Sequence, residues 1–361
     1  MQSICKPSVD ELCQQTKLAG TWKVVVVVTE EQSNIIQGVR YANIQLSAAY
    51  PVVSAYEFEF LKGEELFREG LDNCTIYMIV QRPLTYFDCV EIRDGFIYFE
   101  IADGKNQPMK CRIDPVAAKI SLPGETLYME TQFFSETLGT VQPLRDVAGI
   151  KLFKEDGSFI LWWSPQKLLY EYLVDDLRVE TTDDADPLSF LDFDVLYIGK
   201  AFSQKVWNRL TGHDKMQKIL TVQNPISAGP AARAPFEIAL VLLKVVGLTD
   251  VPQMPYMDLG SEVSPILHDI DLYDEDALER FLREVPVALG DEAMTREVEA
   301  QLINTFQPKF NDVKFANYPM IEGGMRSKGY SSTELVIERL PAFLRTAHHS
   351  VGPILAANDE D

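Results

Sequence analysis

The chain lacks any apolar run long enough to predict a helix that crosses a membrane. The longest run near its start covers residues 24–28, whereas a spanning helix needs roughly 20 apolar residues. The first ten residues hold Lys6 and Asp10 without an apolar stretch between them, so they do not match a secretory signal. We therefore expect a cytoplasmic protein that makes no membrane contact.

Cysteine is scarce, and its distribution argues against a disulfide framework. The chain has five cysteines, an odd number, with no Cys-x-x-Cys pair and no histidine close by in sequence. We expect reduced thiols, as is usual in the cytoplasm, and no zinc site. The cysteines are Cys5, Cys13, Cys74, Cys89 and Cys111.

Basic residues are outnumbered by acidic residues, 33 to 54. The formal net charge is −21, which repels nucleic acid over most of the surface. The composition is otherwise that of a soluble globular protein, with 46% hydrophobic and 24% charged residues. A length of 361 residues makes two domains the default expectation. Any contact with nucleic acid must therefore depend on a local basic surface.

The first part of the chain reads as strands separated by turns, including a strand at residues 74–80. The clearest hairpin is centred on Asp94-Gly95, a dipeptide that favours a two-residue turn, and a second is expected at Asp156-Gly157. This part has no histidine and no glycine-rich phosphate loop, so it shows no catalytic motif. We expect a β-rich domain over residues 1–155 with a recognition or regulatory role, and an acidic connecting segment over residues 156–190.

The later part of the chain alternates between strands and helices. Residues 194–199 and 235–246 read as apolar strands, and residues 203–213 as a helix between them. Within residues 291–306 apolar side chains recur every four positions, which predicts a helix with one buried face. The side chains of that face are Met294, Val298, Leu302 and Phe306.

Four short pieces in this later part carry side chains suited to phosphate chemistry. They are the segment Leu196-Tyr197-Ile198-Gly199-Lys200, the pair Arg209 and His213, the residue Glu299, and the segment Pro308-Lys309-Phe310-Asn311. In this order they resemble the GIY-YIG nucleases. In that family a Tyr-x-Gly strand precedes a helix with an arginine, a helix with a metal-binding glutamate, and an asparagine after a Pro-x-aromatic turn. The segment from Glu299 to Asn311 is similar to the closing motif of the family throughout.

The resemblance implies that Glu299 binds Mg²⁺ or Mn²⁺ and that Arg209 stabilises the phosphate during cleavage. A carboxylate with bound water suits a hard cation that polarises a phosphoryl oxygen. A planar guanidinium can bind two phosphate oxygens at once. Because Glu299 follows Val298 on the helix, it lies about 100° from the buried stripe, and its carboxylate can reach the edge of the packed face.

The remaining members of the pattern have supporting or open roles. Tyr197 would orient or deprotonate the attacking water, although a strand tyrosine can also be a core residue. For His213, four residues after Arg209, both a phosphate-contacting role and a structural role remain open. Gly199 and Asn311 support the site, and Asn311 is expected to hydrogen-bond the backbone near the strands.

A local excess of basic residues makes contact with nucleic acid possible despite the negative net charge. Between Gly199 and Pro235 there are six basic residues against the single acid Asp214. Such a surface can contact phosphates while the acidic remainder limits non-specific binding. We expect nucleic-acid contacts from the lysines of this basic segment, which are Lys200, Lys205, Lys215 and Lys218.

One part of the family pattern is missing from its expected place. The first tyrosine of the family lies in a Gly-aliphatic-Tyr motif roughly ten residues before the Tyr-x-Gly strand. Tyr170 and Tyr172 lie 27 and 25 residues before Tyr197, and neither follows a glycine. The sequence therefore leaves the general base open.

The expected fold is α+β, with the β-rich N-terminal domain followed by a GIY-YIG-like α/β module over residues 191–345 and a tail over residues 346–361. The module would have a small antiparallel three-stranded sheet flanked by helices. The expected activity is metal-dependent hydrolysis of phosphodiester bonds in DNA, with RNA as the alternative substrate. Two other functions stay open, namely a catalytically inactive binding protein on the nuclease scaffold, and a defence or toxin effector regulated by its first domain.

Overall fold

A computed structural model describes residues 35–48, 52–54, 57–58, 61, 63–134, 141–182, 184–201, 205–210, 214–215, 219, 236–247, 256–259, 266–282, 292–315, 320–338 and 340–353. The fold is mixed α+β and rich in strands. Within these residues no helix is long and apolar enough to cross a membrane.

Seventeen strands are seen in the part of the chain that the structure describes. In chain order they are β1 (Ile35–Ala48), β2 (Val53–Ser54), β3 (Ile76–Pro83), β4 (Tyr86–Arg93), β5 (Phe96–Ala102), β6 (Met109–Ile113), β7 (Leu127–Phe133), β8 (Val147–Lys154), β9 (Phe159–Trp163), β10 (Glu180–Thr181), β11 (Asp192–Lys200), β12 (Phe236–Gly247), β13 (Tyr256–Leu259), β14 (Leu267–Asp271), β15 (Tyr330–Glu338), β16 (Phe343–Arg345) and β17 (Ser350–Val351).

The described part of the chain has fewer helices than strands. They are α1 (Glu65–Leu71), α2 (Pro165–Leu173), α3 (Val206–Leu210), α4 (Glu275–Leu282) and α5 (Glu292–Phe306), with 3₁₀ turns at Pro187–Phe190 and Arg326–Lys328. The start of α2 has a clear local cause, because the hydroxyl of Ser164 accepts a hydrogen bond from the backbone N–H of Lys167 at 3.3 Å and Pro165 occupies the first turn. The apolar period of residues 291–306 gives α5, as predicted.

The strands form two sheets. The larger, of ten strands, has the order β13-β15-β1-β12-β3-β11-β16-β17, with β14 paired to β1 and β2 paired to β12. It curls into a half-barrel. The smaller, of seven strands, is antiparallel and has the order β10-β6-β5-β4-β8-β7, with β9 paired to β8. The α+β class is as expected, but the small three-stranded sheet within residues 191–345 is not found. The strands β11 and β12 of that range both pair with β3, which comes from residues 76–83, in a sheet of ten strands.

The smaller sheet is inserted between two neighbouring strands of the larger one. The chain leaves the larger sheet at Pro83, builds β4 to β10, and returns at Asp192 to pair β11 antiparallel with β3. Insertions of this kind in a connection cost little, because loop-closure entropy grows slowly with length. The two sheets therefore divide the chain differently from the expected boundary at residue 155. Both β1 and β3 share a sheet with β11, and residues 156–190 contribute α2, β9 and β10 to the inserted part.

Both predicted hairpins are confirmed. Strands β4 and β5 pair across Asp94 and Gly95, which have φ angles of 54° and 83°, as a type I′ turn requires. Strands β8 and β9 pair across the turn that contains Gly157.

The two faces of the larger sheet pack into different cores. On β3 the side chains alternate, so that Ile76 and Met78 join the core shared with the smaller sheet and α5. Tyr77 and Ile79 join a second core with α1 and α3. The inserted sheet thus packs on the face of β3 opposite to Tyr77.

A buried polar cluster ties the inserted part to the larger sheet. Arg82, at the end of β3, donates hydrogen bonds to Glu237 of β12 at 2.5 Å, to the carbonyl of Phe190 at 2.5 Å and to Gln166 of α2 at 2.9 Å. Gln166 in turn donates to Glu57. Burial raises the pKa of both Glu57 and Glu237, and only Glu237 has the Arg82 charge to oppose the rise.

Candidate active site

Tyr197 reaches its position through an irregularity in β11. The pairing of β11 with β3 shifts register between Val195 and Tyr197, which is the mark of a β-bulge. Val195 belongs to the core on the inserted-sheet side, whereas Leu196 and Tyr197 both pack on the other side. The bulge therefore directs the half-buried Tyr197 ring to the same face as Tyr77.

Tyr77 is the direct neighbour of this strand. It pairs with Gly199 in the register of β3 and β11, and its ring centroid lies 6.1 Å from that of Tyr197. A Cβ atom at Gly199 would lie 2.6 Å from the Tyr77 hydroxyl and 2.8 Å from the Tyr197 ring. The glycine of the Tyr-x-Gly motif is thus required by the close approach of two tyrosine rings.

A hydrogen-bonded series links the two tyrosines to Arg209. The Arg209 guanidinium, on α3, donates to the phenol oxygen of Tyr77, and the phenols of Tyr77 and Tyr197 are hydrogen-bonded to each other. Arg209 is exposed and Tyr197 is half-buried, whereas Tyr77 is fully buried. A phosphate arriving from solvent can therefore reach Arg209 and Tyr197 but not Tyr77.

Opposing effects act on the phenol of Tyr197, and together they raise its pKa above the ordinary value. Burial is the main cause that raises the pKa of its phenol, and the negative charge of Glu299 adds to the rise. Arg209, the hydrogen bond with Tyr77 and Lys215 oppose it by stabilising the phenolate. Burial likewise raises the pKa of Tyr77 well above its ordinary value.

Glu299 lies at the edge of α5, as the helical period predicted. Its side chain is 13% exposed and its carboxylate forms an ion pair with Lys200, the last residue of β11. The helix packs against β11, and the side chains of Val298 and Leu302 anchor it in the core. From there the Glu299 charge raises the pKa of Tyr197, whereas Arg209 lowers it.

Asn311 binds the backbone of β11 along the edge of the strand that β16 leaves unpaired. Its side-chain oxygen accepts a hydrogen bond from the N–H of Ile198 at 2.9 Å, and its amide nitrogen donates to the carbonyl of Ile198 at 2.8 Å. The N–H of Phe310 donates to the carbonyl of Leu196 at 3.0 Å. Strand β16 pairs only with residues 192–194 of β11. The segment with Phe310 and Asn311 therefore supplies the hydrogen bonds that a neighbouring strand would make to Leu196 and Ile198. The predicted hydrogen bonding of Asn311 to the strand backbone is confirmed.

The side chains at the site suit Mg²⁺ or Mn²⁺ better than Zn²⁺. Among the residues with described positions, no group of three or more histidine, cysteine, aspartate or glutamate side chains could hold a metal ion. Zinc sites need three or four such ligands. Mg²⁺ and Mn²⁺ can be held by one carboxylate together with water and substrate phosphate oxygens, and Glu299 meets that requirement.

The predicted basic surface is largely compensated by acids from other parts of the chain. Lys205 pairs with Asp72 at 2.7 Å and Lys215 with Asp312 at 2.6 Å, in addition to the pair formed by Lys200. Ion pairs that are open to solvent contribute little stability, so these lysines can exchange a carboxylate for a phosphate. His213 and Lys218 lie outside the described residues.

Sequence reasoning missed Tyr77. A strand was predicted there, and β3 begins within Thr75-Ile76-Tyr77, an aliphatic-tyrosine pair with threonine in place of glycine. The signal was hidden by distance, because 120 residues separate Tyr77 from Tyr197. Only the pairing of β3 with β11 shows that the two tyrosines are neighbours.

Comparison of the chain with protein-family models, curated proteins and solved structures finds no match.

Proposed function

We propose that the chain is a metal-dependent endonuclease that hydrolyses phosphodiester bonds in DNA, with RNA as the alternative substrate, at a GIY-YIG-like site. The observation that carries the proposal is the packing of the Tyr77 and Tyr197 rings at Gly199. Arg209 is hydrogen-bonded to Tyr77, and the charge of Glu299 acts on Tyr197. A guanidinium, a phenol and a carboxylate in one neighbourhood match the groups that phosphodiester cleavage requires.

Tyr77 is our candidate for the first tyrosine of the family pattern. It lies on a strand antiparallel to the Tyr-x-Gly strand, and the inserted sheet accounts for its distance in sequence. Thr75 replaces the glycine of the Gly-aliphatic-Tyr motif. Because Tyr77 is fully buried, its role here is to position Tyr197 and Arg209 by hydrogen bonds, not to contact the substrate.

Each remaining residue has a task that follows from its position. The exposed guanidinium of Arg209 binds the scissile phosphate and stabilises the charge that develops on it. Tyr197 orients the attacking water through its phenol, whose raised pKa keeps it protonated, so the proton of the water passes to solvent and not to this side chain. Glu299 would hold the divalent ion, which supplies Lewis-acid polarisation of a phosphoryl oxygen when bound.

The test is a nicking assay on supercoiled plasmid with Mg²⁺ or Mn²⁺, comparing the parent with Glu299→Gln. We expect the variant to lose about 10²-fold or more in rate, the usual scale for removing one electrostatic stabiliser of a transition state. The matched control is Glu292→Gln, an exposed glutamate in the first turn of the same helix, which should cut like the parent. Equal cutting by the parent and by Glu299→Gln would contradict the assignment of the site.

A second candidate is a binding protein that keeps this scaffold without catalysis. The altered first motif favours it, because Thr75 replaces the glycine and Tyr77 is fully buried, so this phenol cannot contact the attacking water. Salt-dependent binding of labelled DNA without cleavage, in the parent with either metal, would support this reading over the enzyme.

Regulation by the first part of the chain needs a different test from simple truncation. Deleting the first 150 residues would remove β1 and β3, and with them Tyr77. The inserted sheet packs on the face opposite to the tyrosines, so it does not cover them. No observation in the described residues favours the effector reading over the other two.

A further inference from the structure

The ion pair between Lys200 and Glu299 places a positive charge where the divalent ion is proposed to bind. The ammonium group of Lys200 contacts the carboxylate of Glu299 directly. The Lys200 side chain is 38% exposed and that of Glu299 only 13%. A cation that arrives from solvent therefore meets Lys200 before it meets the carboxylate.

The charges around the pair disfavour a lone dication. Arg209 and Lys215 both act on Tyr197 electrostatically, as does Glu299, and Lys215 is paired with Asp312. Together with Lys200, three positive charges face two negative ones. Like charges a few ångströms apart repel by about 1 kcal/mol in water and more near a protein surface. A divalent ion alone thus enters a neighbourhood that is already net positive.

We propose that Lys200 occupies the cation position at Glu299 until a phosphate binds, and that it then moves from the carboxylate to the phosphate as the divalent ion takes its place. This inference rests on the proposed function and deepens it. The metal and the phosphodiester then bind synergistically, each raising the affinity of the other by the same factor, as thermodynamic linkage requires.

The geometry of the two side chains suits this exchange. Lys200 has a flexible four-carbon stem and a compact ammonium group, and its exposed end can turn from one acceptor to another. Glu299 projects from the long helix α5, whose apolar face is buried in the core. The lysine is therefore the mobile partner, and the carboxylate keeps its place.

The test measures Mn²⁺ affinity by electron paramagnetic resonance on the full chain, without relying on cleavage. In the parent we expect weak binding of Mn²⁺ alone and tighter binding when dimethyl phosphate, the smallest phosphodiester, is added. In Lys200→Met we expect Mn²⁺ alone to bind about fivefold tighter or more, within the usual range of coupling between sites, and the effect of dimethyl phosphate to shrink. Lys200→Arg keeps the charge and should behave like the parent.

Two further variants make the result specific. Lys154→Met removes a lysine of β8 from another lysine–glutamate pair, with Glu125 in the turn before β7, and should leave Mn²⁺ affinity unchanged. The double variant Lys200→Met/Glu299→Gln should lose the gain in affinity. A Lys200→Met protein that binds Mn²⁺ no more tightly than the parent, a gain that survives loss of Glu299, or no measurable Mn²⁺ binding in any variant would each overturn the inference.

Failure of this inference and failure of the proposed function give different results. If the parent cuts plasmid in a Glu299-dependent way but Lys200→Met leaves Mn²⁺ affinity unchanged, the nuclease assignment stands and the exchange of Lys200 is refuted. If Lys200→Met gains Glu299-dependent affinity while the parent never cuts nucleic acid, the competition for Glu299 stands and the nuclease assignment fails.

Discussion

Replacement of Arg82 by methionine tests the buried cluster that joins the inserted part to the larger sheet. The Arg82 side chain is 2% exposed, and its partner Glu237 is 10% exposed. Loss of the guanidinium also removes its hydrogen bonds to Gln166 and to the carbonyl of Phe190. Leaving a buried carboxylate without its partner costs about 3–5 kcal/mol, and we expect the free energy of unfolding to fall by that amount.

A second substitution, at Glu237, should restore most of the stability that Arg82→Met loses. In Arg82→Met/Glu237→Met both charges are replaced by apolar groups of similar length, a change that is often neutral for a buried pair. Urea unfolding followed by circular dichroism and by tryptophan fluorescence would measure both variants, and coincident transitions would justify a two-state analysis. A single variant that loses less than about 1 kcal/mol, or a double variant no better than the single one, would refute the role given to this ion pair.

Three further variants test local claims. Burial raises the pKa of Glu57 above its ordinary value of 4.5, so the stability that its neutral form contributes is present below that value and is lost as pH rises through the folded pKa. Glu57→Gln should therefore flatten the fall of Tm above pH 5, and an unchanged pH profile would contradict this. Asn311→Ala leaves the buried N–H and carbonyl of Ile198 without partners and should cost about 2–4 kcal/mol, with faster amide exchange in residues 195–200 by mass spectrometry. Gly199→Ala places a methyl group 2.6 Å from the Tyr77 hydroxyl and should lower the cleavage rate and the melting temperature together, whereas full activity would show that the rings are not packed as described.

Local sequence signals predicted much of the secondary structure because the forces behind them are local. The Asp94-Gly95 turn depends on the φ angles of two residues, and α5 depends on an apolar period within its own 15 residues. The motif around Asn311 also lies within a short segment, so its contact with β11 could be predicted from a resemblance. In each case the residues that determine the structure are close in sequence.

The features that sequence reasoning missed depend on pairing between distant segments. Tyr77 meets Tyr197 only because β3 pairs with β11 across the inserted sheet, and no local pattern specifies that pairing. The same holds for Glu57 and Arg82, which read as ordinary surface charges in sequence and become buried partners of Gln166 and Glu237 only in the fold. Buried ionisable groups depart from the usual rule that charged residues are exposed, so composition gives no warning of them.

The basic segment shows a related limit. Its lysines were counted against the one acid that is near them in sequence, whereas the acids that pair with Lys205 and Lys215 are Asp72 and Asp312. Charge balance along the chain therefore overstated the positive potential of this surface. The folded structure shows which of these charges are compensated.

The central claim is that one cleavage site is built from residues that precede the inserted sheet in sequence and residues that follow it. The variant Tyr77→Phe tests this claim most directly. Phenylalanine keeps the ring beside Gly199 and removes only the hydroxyl that joins Arg209 to Tyr197. The control is Tyr98→Phe, which removes a phenol that also hydrogen-bonds arginine but lies on β5 of the inserted sheet. In single-turnover cleavage of DNA with Mn²⁺, we expect a loss of about 10²-fold for Tyr77→Phe, because Arg209 and Tyr197 lose the hydroxyl that positions them, and parent-like cleavage for Tyr98→Phe. Cleavage by Tyr77→Phe at the rate of the parent would contradict the account.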